Sequence, residues 1–424
     1  MSNTGLPPRR AAHHLLEEIT GEGRLMSELI GGGALDHLPV EDRARAQRLA
    51  TDALRGADRA DRMLKPYLKK DPPETVLNAL RLGVIELVGG EAAHGVVNSY
   101  VEIVSRNRHI SSFKGLTNAV LRRISEEGEK GWNKRPTPLT PGWLRQPLVA
   151  AWGRKSVEGI EAAHFAGAAL DLTPKDDPEA VAKAVGGVVL PTGSVRLKDA
   201  GQVSTLPGFE SGDWWVQDAA AAVPIKVLDP QPGMRVLDLC AAPGGKTMQL
   251  AASGADVTAV DLSPTRMARV KENLKRVGLK ANCVVSDAFA FDDEDGFDAV
   301  VLDAPCSATG TIRRHPDLPY AKDGSEFMAL IEQQEQLIYH ALNLLKPGGK
   351  LVFCTCSLLP DEGEIQVDDA LGRNEGLTVD FTARDKSGID PAWFTEEGGI
   401  RLRPDYWADH GGMDGFYIAV LIKP

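Results

Sequence analysis

The chain has 424 residues, 43% hydrophobic and 25% charged, with 59 Asp and Glu against 48 Lys and Arg for a net charge of −11. That length holds two or three domains with real cores, and five cysteines in no C-x-x-C pattern exclude a disulfide framework or a zinc site. With no leader segment and no apolar run near twenty residues, the expectation is a soluble, cytoplasmic protein with no membrane partner and no metal.

Residues 1–130 read as helical. Apolar residues recur at helical spacing through Ala11 to Ile19, Ala44 to Leu54, Val76 to Leu87, Val96 to Val104 and Leu116 to Ile124. Gly31-Gly32-Gly33, Asp71-Pro72-Pro73 and Gly89-Gly90 separate these runs, so a bundle of five or more short helices is predicted. This part carries 19 basic and 18 acidic residues, which leaves −12 for the remainder. Arg106, Arg108, Lys114, Arg122 and Arg123 gather toward its end, where they suit either phosphate contact or a solvated face.

From 131 to 217 the pattern changes. Ala169-Leu170-Asp171-Leu172 reads as a strand, and Asp177-Pro178 supplies an N-cap and first-turn proline for a helix to Val185. Val188-Val189-Leu190 and Trp214-Trp215-Val216 read as further strands, giving a small α/β segment. The paired tryptophans could stack on a base, although strand tryptophans more often fill a core.

Residues 218–424 alternate strands and helices. Val236 to Cys240 is a buried strand that runs into Ala241-Ala242-Pro243-Gly244-Gly245-Lys246-Thr247 and a helix to Ser253. Glycines there let the backbone approach a ligand, and the helix N-terminus offers unpaired N–H groups. Val257 to Val260 closes on Asp261, placed to meet ribose hydroxyls; Ser263-Pro264 caps a helix to Val277, and Asp287 follows the strand Cys283 to Val285. The turn has neither G-x-G-x-x-G nor complete P-loop spacing, so by itself it leaves NAD, FAD and S-adenosylmethionine open. The βαβ rhythm continues to Tyr417–Leu421 and predicts a doubly wound, mostly parallel sheet.

Two segments dominate the chemistry. Asp303-Ala304-Pro305-Cys306 follows the strand Phe297 to Leu302, and Thr355-Cys356-Ser357 follows Lys350 to Cys354. In a parallel sheet both cysteines emerge at the carboxyl edge, where ligands bind. Buried, inert thiols are the plain alternative; two of them over one pocket favour chemistry in which one sulfur adds to a substrate and the other assists release. Cys283 and Cys354 read as core.

Asp-Leu-Cys-Ala-Ala-Pro-Gly-Gly-Lys-Thr at 238–247, Asp-Ala-Pro-Cys-Ser-Ala-Thr-Gly at 303–310 and Cys-Thr-Cys-Ser at 354–357 resemble the RNA (cytosine-5)-methyltransferases of the Nop/Sun family, and within it the bacterial RsmB type. Leu206-Pro207-Gly208-Phe209, Trp215-Val216-Gln217-Asp218, Ile312-Arg313-Arg314-His315-Pro316-Asp317 and Asp414-Gly415-Phe416-Tyr417 support the resemblance, which is strongest from about residue 140 onward. It implies a Rossmann-like class I methyltransferase domain over 218–424, a NusB-like helical RNA-binding domain over 1–130 and a small RNA-positioning subdomain over 131–217. S-adenosylmethionine is the implied cofactor, held by Cys240, Ala241, Ala242, Pro243, Gly244, Gly245, Lys246, Asp261, Asp287 and Asp303. The implied catalytic set is Cys356 as nucleophile, Cys306 for product release and Asp303 on the cytosine edge. Arg313-Arg314-His315, in the loop just past the first thiol, suit nucleotide phosphates by position, and His315 stays outside the catalytic set. The implied partner is 16S rRNA, naked or partly assembled, with no obligate protein partner. A net acidic chain still binds RNA through local basic patches. Transfer RNA as substrate, or a non-catalytic RNA-binding role, stays open at this point. One departure stands out: Leu170-Asp171-Leu172-Thr173 replaces the family's Leu-Arg-Val-Asn, so a rearranged RNA contact is expected there.

Overall fold

The structure, a computed structural model, describes residues 5–198 and 201–424, and these divide into two compact units. One runs through Gly167 and also takes in Ile312–Asp323; the other comprises Ala168–Thr311 and Gly324–Pro424.

The first unit is all-helical: Leu6–Glu22, Met26–Gly31, Val40–Arg55, Ala57–Leu64, Glu74–Val88, Ala93–Arg106, Lys114–Asn133 and Gly142–Ala166. Each of the five predicted helices is present, and their apolar stripes form one core through Leu15, Ile19, Met63, Leu80, Tyr100 and Leu121. The last helix, Gly142–Ala166, has no clear sequence signal because Gly153 adopts φ +77° and breaks it into two halves. Tyr320 and Ala321 of the inserted segment pack on the helical core. Asp317 Oδ2 accepts from the Met26 amide at 2.9 Å, and Trp143 Nε1 donates to the Pro319 carbonyl at 3.2 Å.

The second unit contains two sheets. The smaller is antiparallel, built from β1 (Leu170–Pro174), β2 (Val188–Val189), β3 (Val195–Leu197) and β4 (Trp214–Val216) in the order β2-β3-β1-β4. Trp214 and Trp215 are both fully buried and point to opposite faces, as strand alternation requires. Trp214 joins Leu172, Val181 and Val195, while Trp215 packs on Met267, Val270 and Leu274 of helix Pro264–Val277. They are core residues, with no face for a base.

The larger sheet carries β5 (Arg235–Leu239), β6 (Asp256–Asp261), β7 (Asn282–Val285), β8 (Phe297–Asp303), β9 (Leu345–Thr355), β10 (Thr378–Val379), β11 (Ile400–Leu402) and β12 (Phe416–Ile422). Its order is β10-β12-β9-β8-β5-β6-β7, with β11 on β12. The strands β5 to β9 are parallel, and β12 closes antiparallel on β9. From β5 the chain winds outward through β6 and β7, then returns to β8 and β9 on the other side. The switch point of a doubly wound sheet therefore lies between β5 and β8, the place where such sheets bind ligands. Among the described residues no helix is long and apolar enough to cross a membrane.

Candidate active site

β8 and β9 are neighbours in parallel register, with Asp303 opposite Cys354. Cys306 lies three residues past β8 and Cys356 one past β9, so both loops leave the same edge side by side. Their sulfurs are 3.5 Å apart, and each side chain is half-buried. Backbone closure holds this arrangement: the Gly310 amide donates to the Cys356 carbonyl and the Gly415 amide to the Gly310 carbonyl, each at 2.8 Å. A Cβ on Gly310 would stand 2.0 Å from the Gly415 carbonyl oxygen, so only glycine fits. The Ala-Thr-Gly and Asp-Gly-Phe-Tyr motifs thus meet at the second thiol.

The hydrogen bond from Cys356, then burial, then the negative charges of Cys356 and Glu362 push the Cys306 thiol well above its ordinary range.

Asp303 closes β8 and meets the lysine of the glycine turn. Its Oδ2 accepts from Lys246 Nζ at 2.8 Å, and Cys354 Sγ lies 3.7 Å from Oδ1. The Lys246 side chain is 7% exposed and that of Asp303 35%. Burial works against the Lys246 ammonium, but the charge and hydrogen bond of Asp303, together with the Cys354 and Asp238 groups nearby, outweigh it and lift the lysine above its ordinary range. Nζ also sits 5.2 Å from the centre of the Phe416 ring. The lysine of the glycine turn therefore serves the strand end that carries the first thiol, a role no motif spacing revealed. Cys354 is buried as expected, whereas Cys283 is half-buried.

The turn after β5 begins with Cys240 at φ +64°, an unusual conformation for a residue with a Cβ. Burial, followed by the charges of Asp303, Asp261 and Asp238, pushes its thiol up to about 12 and keeps it neutral. Gly244 has φ +100° and opens helix Gly245–Ala252; a Cβ there would come within 3.0 Å of Val270. Ala241 and Ala242 are buried in the turn. Asp261 takes the Ala242 amide on Oδ2 at 3.0 Å and the Ser263 amide on Oδ1 at 2.9 Å, so it braces the turn as well as lining the cleft. Cys240, Asp261, Arg266, Asp287, Phe289 and Pro305 wall that cleft. Asp287 is exposed, with one oxygen capping the Phe289 amide at 2.9 Å.

Two expectations need correction. Arg313 is fully buried within the first unit, its carbonyl accepting from Arg55 Nη2 at 3.0 Å, so it is not presented to phosphate; Arg314 is half-buried and His315 exposed. Asp171 is equally far from solvent. It forms a buried ion pair with Arg196, its register partner on β3, through two bonds of 2.6 Å. The guanidinium is thus supplied from the next strand, and Asp171 and Thr173 serve internal bonding, Thr173 to Gln217 at 2.9 Å. Sequence reasoning also missed Glu362, Gln334, Ser307 and Ser357, which bond together around the thiols.

A family model described as 16S rRNA methyltransferase RsmB/F matches residues 225–422, and one described as NusB family matches residues 6–126. The ribosomal RNA small subunit methyltransferase B of Pseudomonas syringae pv. tomato is 34% identical over 444 aligned residues, covering 98% of this chain and 97% of that protein. The protein of the same description from Cronobacter sakazakii is 32% identical, with 98% of each chain covered. Among solved structures, PH0851 aligns over 98% of this chain and 99% of its own with a TM-score of 0.75 and 25% identity. A methyltransferase homolog protein from Pyrococcus horikoshii covers 66% of this chain and 94% of its own with a TM-score of 0.54 and 27% identity. Full-length identity above 30%, both family models and the doubly wound fold agree: the chain belongs to the S-adenosylmethionine-dependent ribosomal RNA small subunit methyltransferase B family.

Proposed function

We propose that this protein methylates carbon 5 of a cytosine in 16S rRNA through a covalent cysteine–cytosine adduct. The observation that carries the reading is the 3.5 Å separation of Cys306 and Cys356 Sγ beside Asp303. Carbon 5 of an aromatic cytosine is a poor nucleophile, so the chain must activate it. Addition of the Cys356 sulfur to carbon 6 opens the 5,6 double bond and places an electron pair on carbon 5. Asp303 bonds the amidine edge of the base, and the Lys246 ammonium beside it offsets the charge that spreads there. Once the electron pair on carbon 5 has taken up the methyl group, the proton left on carbon 5 passes to a base. The electron pair it leaves re-forms the 5,6 double bond and the bond from carbon 6 to sulfur breaks, returning Cys356 as thiolate; Cys306 serves in this release. The contact between the two sulfurs supports that division, because it puts a second thiol within reach of the base that Cys356 attacks.

The residues at the switch point suit S-adenosylmethionine, which when bound supplies an electrophilic methyl group. Asp238, Asp261, Asp287 and Asp303 stand at or beside the ends of four adjacent strands. Among the described residues Asp238 Oδ1 is buried without a hydrogen-bond partner, and such a carboxylate set complements a ligand bearing sulfonium and ammonium charges. The helical residues 1–130 and the segment 131–217 are assigned to holding the RNA, the former on the strength of its exposed Arg106, Arg108, Lys114, Arg122 and Arg123.

The test uses Cys306→Ala, which adds to the base but releases it poorly. After incubation with S-adenosylmethionine and total bacterial RNA, the denaturation-resistant adduct is isolated and its RNA sequenced. The expected result is one small-subunit rRNA cytosine, lost when Cys356 is also replaced. Recovery of tRNA would keep the chemistry and overturn the substrate; absence of any adduct would overturn the release role of Cys306.

A further inference from the structure

We infer that Glu362 is a positioning residue that sets the spacing of the two thiols, an inference that rests on the two-cysteine reading above. Neither β8 nor β9 places its cysteine directly, since both sulfurs sit on loops beyond the strand ends. Something must fix those loops against each other, and one buried carboxylate does so.

Glu362 closes the short turn Pro360–Glu362 and is fully buried. Its Oε1 accepts from the Ser307 amide at 2.8 Å and from Gln334 Nε2 at 3.1 Å. Its Oε2 accepts from Ser307 Oγ and from Ser357 Oγ, both at 2.5 Å. Ser307 directly follows Cys306, and Ser357 directly follows Cys356. The same clamp reaches the preceding residues: Gln334 Nε2 also donates to the Pro305 carbonyl at 2.8 Å, and Thr355 Oγ1 donates to the Glu362 carbonyl at 2.7 Å. Both flanks of both cysteines are thereby tied to one residue and its partner glutamine.

Hydrogen bonds to an ionised acceptor are shorter and stronger than neutral ones, and lost partners in a buried site leave desolvated donors behind. Removing the carboxylate takes the shared partner from Ser307, Ser357 and Gln334 at once and leaves the loops joined by the Ser307–Ser357 hydroxyl contact at 3.2 Å and the Gly310–Cys356 backbone bond, so their spacing loosens. Cofactor and RNA contacts lie on other residues and keep their affinity. The loss falls on chemistry, which needs both sulfurs at one base within a fraction of an ångström.

The test measures thiol spacing without any reaction on RNA. Phenylarsine oxide bridges two close thiols, exchanging its oxygen for two sulfurs with release of water and no redox change. Titrated into the full chain, it should bind the parent tightly, whereas Cys306→Ser and Cys356→Ser define the background from other thiols. Glu362→Ala should weaken arsenical binding at least tenfold and lower kcat at least tenfold, with KM for RNA and for S-adenosylmethionine within twofold. Glu362→Gln, which keeps the shape and an acceptor oxygen, should fall between, and it carries the test if the alanine variant does not fold. Parent-like arsenical binding and kcat in the folded variants would overturn the proposal. A parent that binds the arsenical and loses it in Glu362→Ala, yet methylates no RNA cytosine, would keep the clamp and overturn the cytosine-5 reading instead.

Discussion

Lys246 Nζ lies 2.8 Å from Asp303 Oδ2, joining the glycine turn after β5 to the strand end that leads to Cys306. The pair spans the switch point, so the residues around the cofactor cleft and those around the thiols share one charge network. Lys246→Met keeps the aliphatic stem and removes the charge. The expected result is a loss of about 100-fold in kcat, the scale of one preorganised electrostatic partner, with S-adenosylmethionine affinity changed only a few-fold. Single-turnover methylation and calorimetric titration of the cofactor check the two halves of that statement.

The buried Asp171–Arg196 pair calls for a different experiment. Arg196 Nη1 also donates to the His410 and Gly412 carbonyls at 2.8 and 2.6 Å, and Asp171 Oδ2 accepts from the Ala219 amide at 3.0 Å. Breaking such a pair on one side strands a buried charge, at a cost of about 3–5 kcal/mol, whereas replacing both by apolar residues costs less. Arg196→Leu should therefore destabilise the second unit more than the double replacement Asp171→Leu with Arg196→Leu. Denaturant unfolding of the three proteins decides it; equal losses would show that the pair is not coupled.

Asp238 makes stability fall as pH rises toward neutral. Burial raises its carboxyl to about 7, against the lowering effects of the Thr247 hydroxyl and Lys246. An acid whose folded pKa is raised binds its proton more tightly when folded. Its contribution is full below about pH 4 and is lost as pH climbs to about 7. Asp238→Asn abolishes that loss, so between pH 5 and pH 8 the variant should gain on the order of 2 kcal/mol relative to the parent. Urea midpoints at the two pH values measure the difference, and parallel pH profiles would refute it.

His164 works in the opposite sense in the helical unit. Burial, then the charges of Arg313 and Arg55, lower its pKa to about 3, and among the described residues neither ring nitrogen has a hydrogen-bond partner. The folded form stays neutral while the unfolded chain takes up a proton below about pH 6.5, so stability falls by about 1.4 kcal/mol per pH unit from there toward pH 3. In His164→Leu that share of the acid sensitivity should vanish. Thermal unfolding at pH 7 and pH 5 tests it, with an unchanged acid slope as the contrary result.

Much of this architecture was legible before any coordinates. Helical periodicity located the five helices between Ala11 and Ile124, and continuous apolar runs located β5, β6, β8, β9 and β12, because burial imposes those patterns on every chain. Helix Gly142–Ala166 and strand β3 were not legible. The first is interrupted at Gly153, and the second buries a charged residue, Arg196, at its centre, so no apolar run marks it.

The sequence by itself determined that two cysteines follow two strands and that a glycine turn opens a cofactor-type βα unit, since motif order and strand patterning are local properties. Only the tertiary structure decided which groups meet. Strand order put β8 beside β9 and brought the thiols to 3.5 Å, carried Lys246 to Asp303 and set Arg196 opposite Asp171. It also placed Glu362 under both thiol loops and buried Arg313 away from solvent. Each of these contacts joins residues distant in the chain, and their pairing follows from sheet register and core burial, which no local spacing encodes.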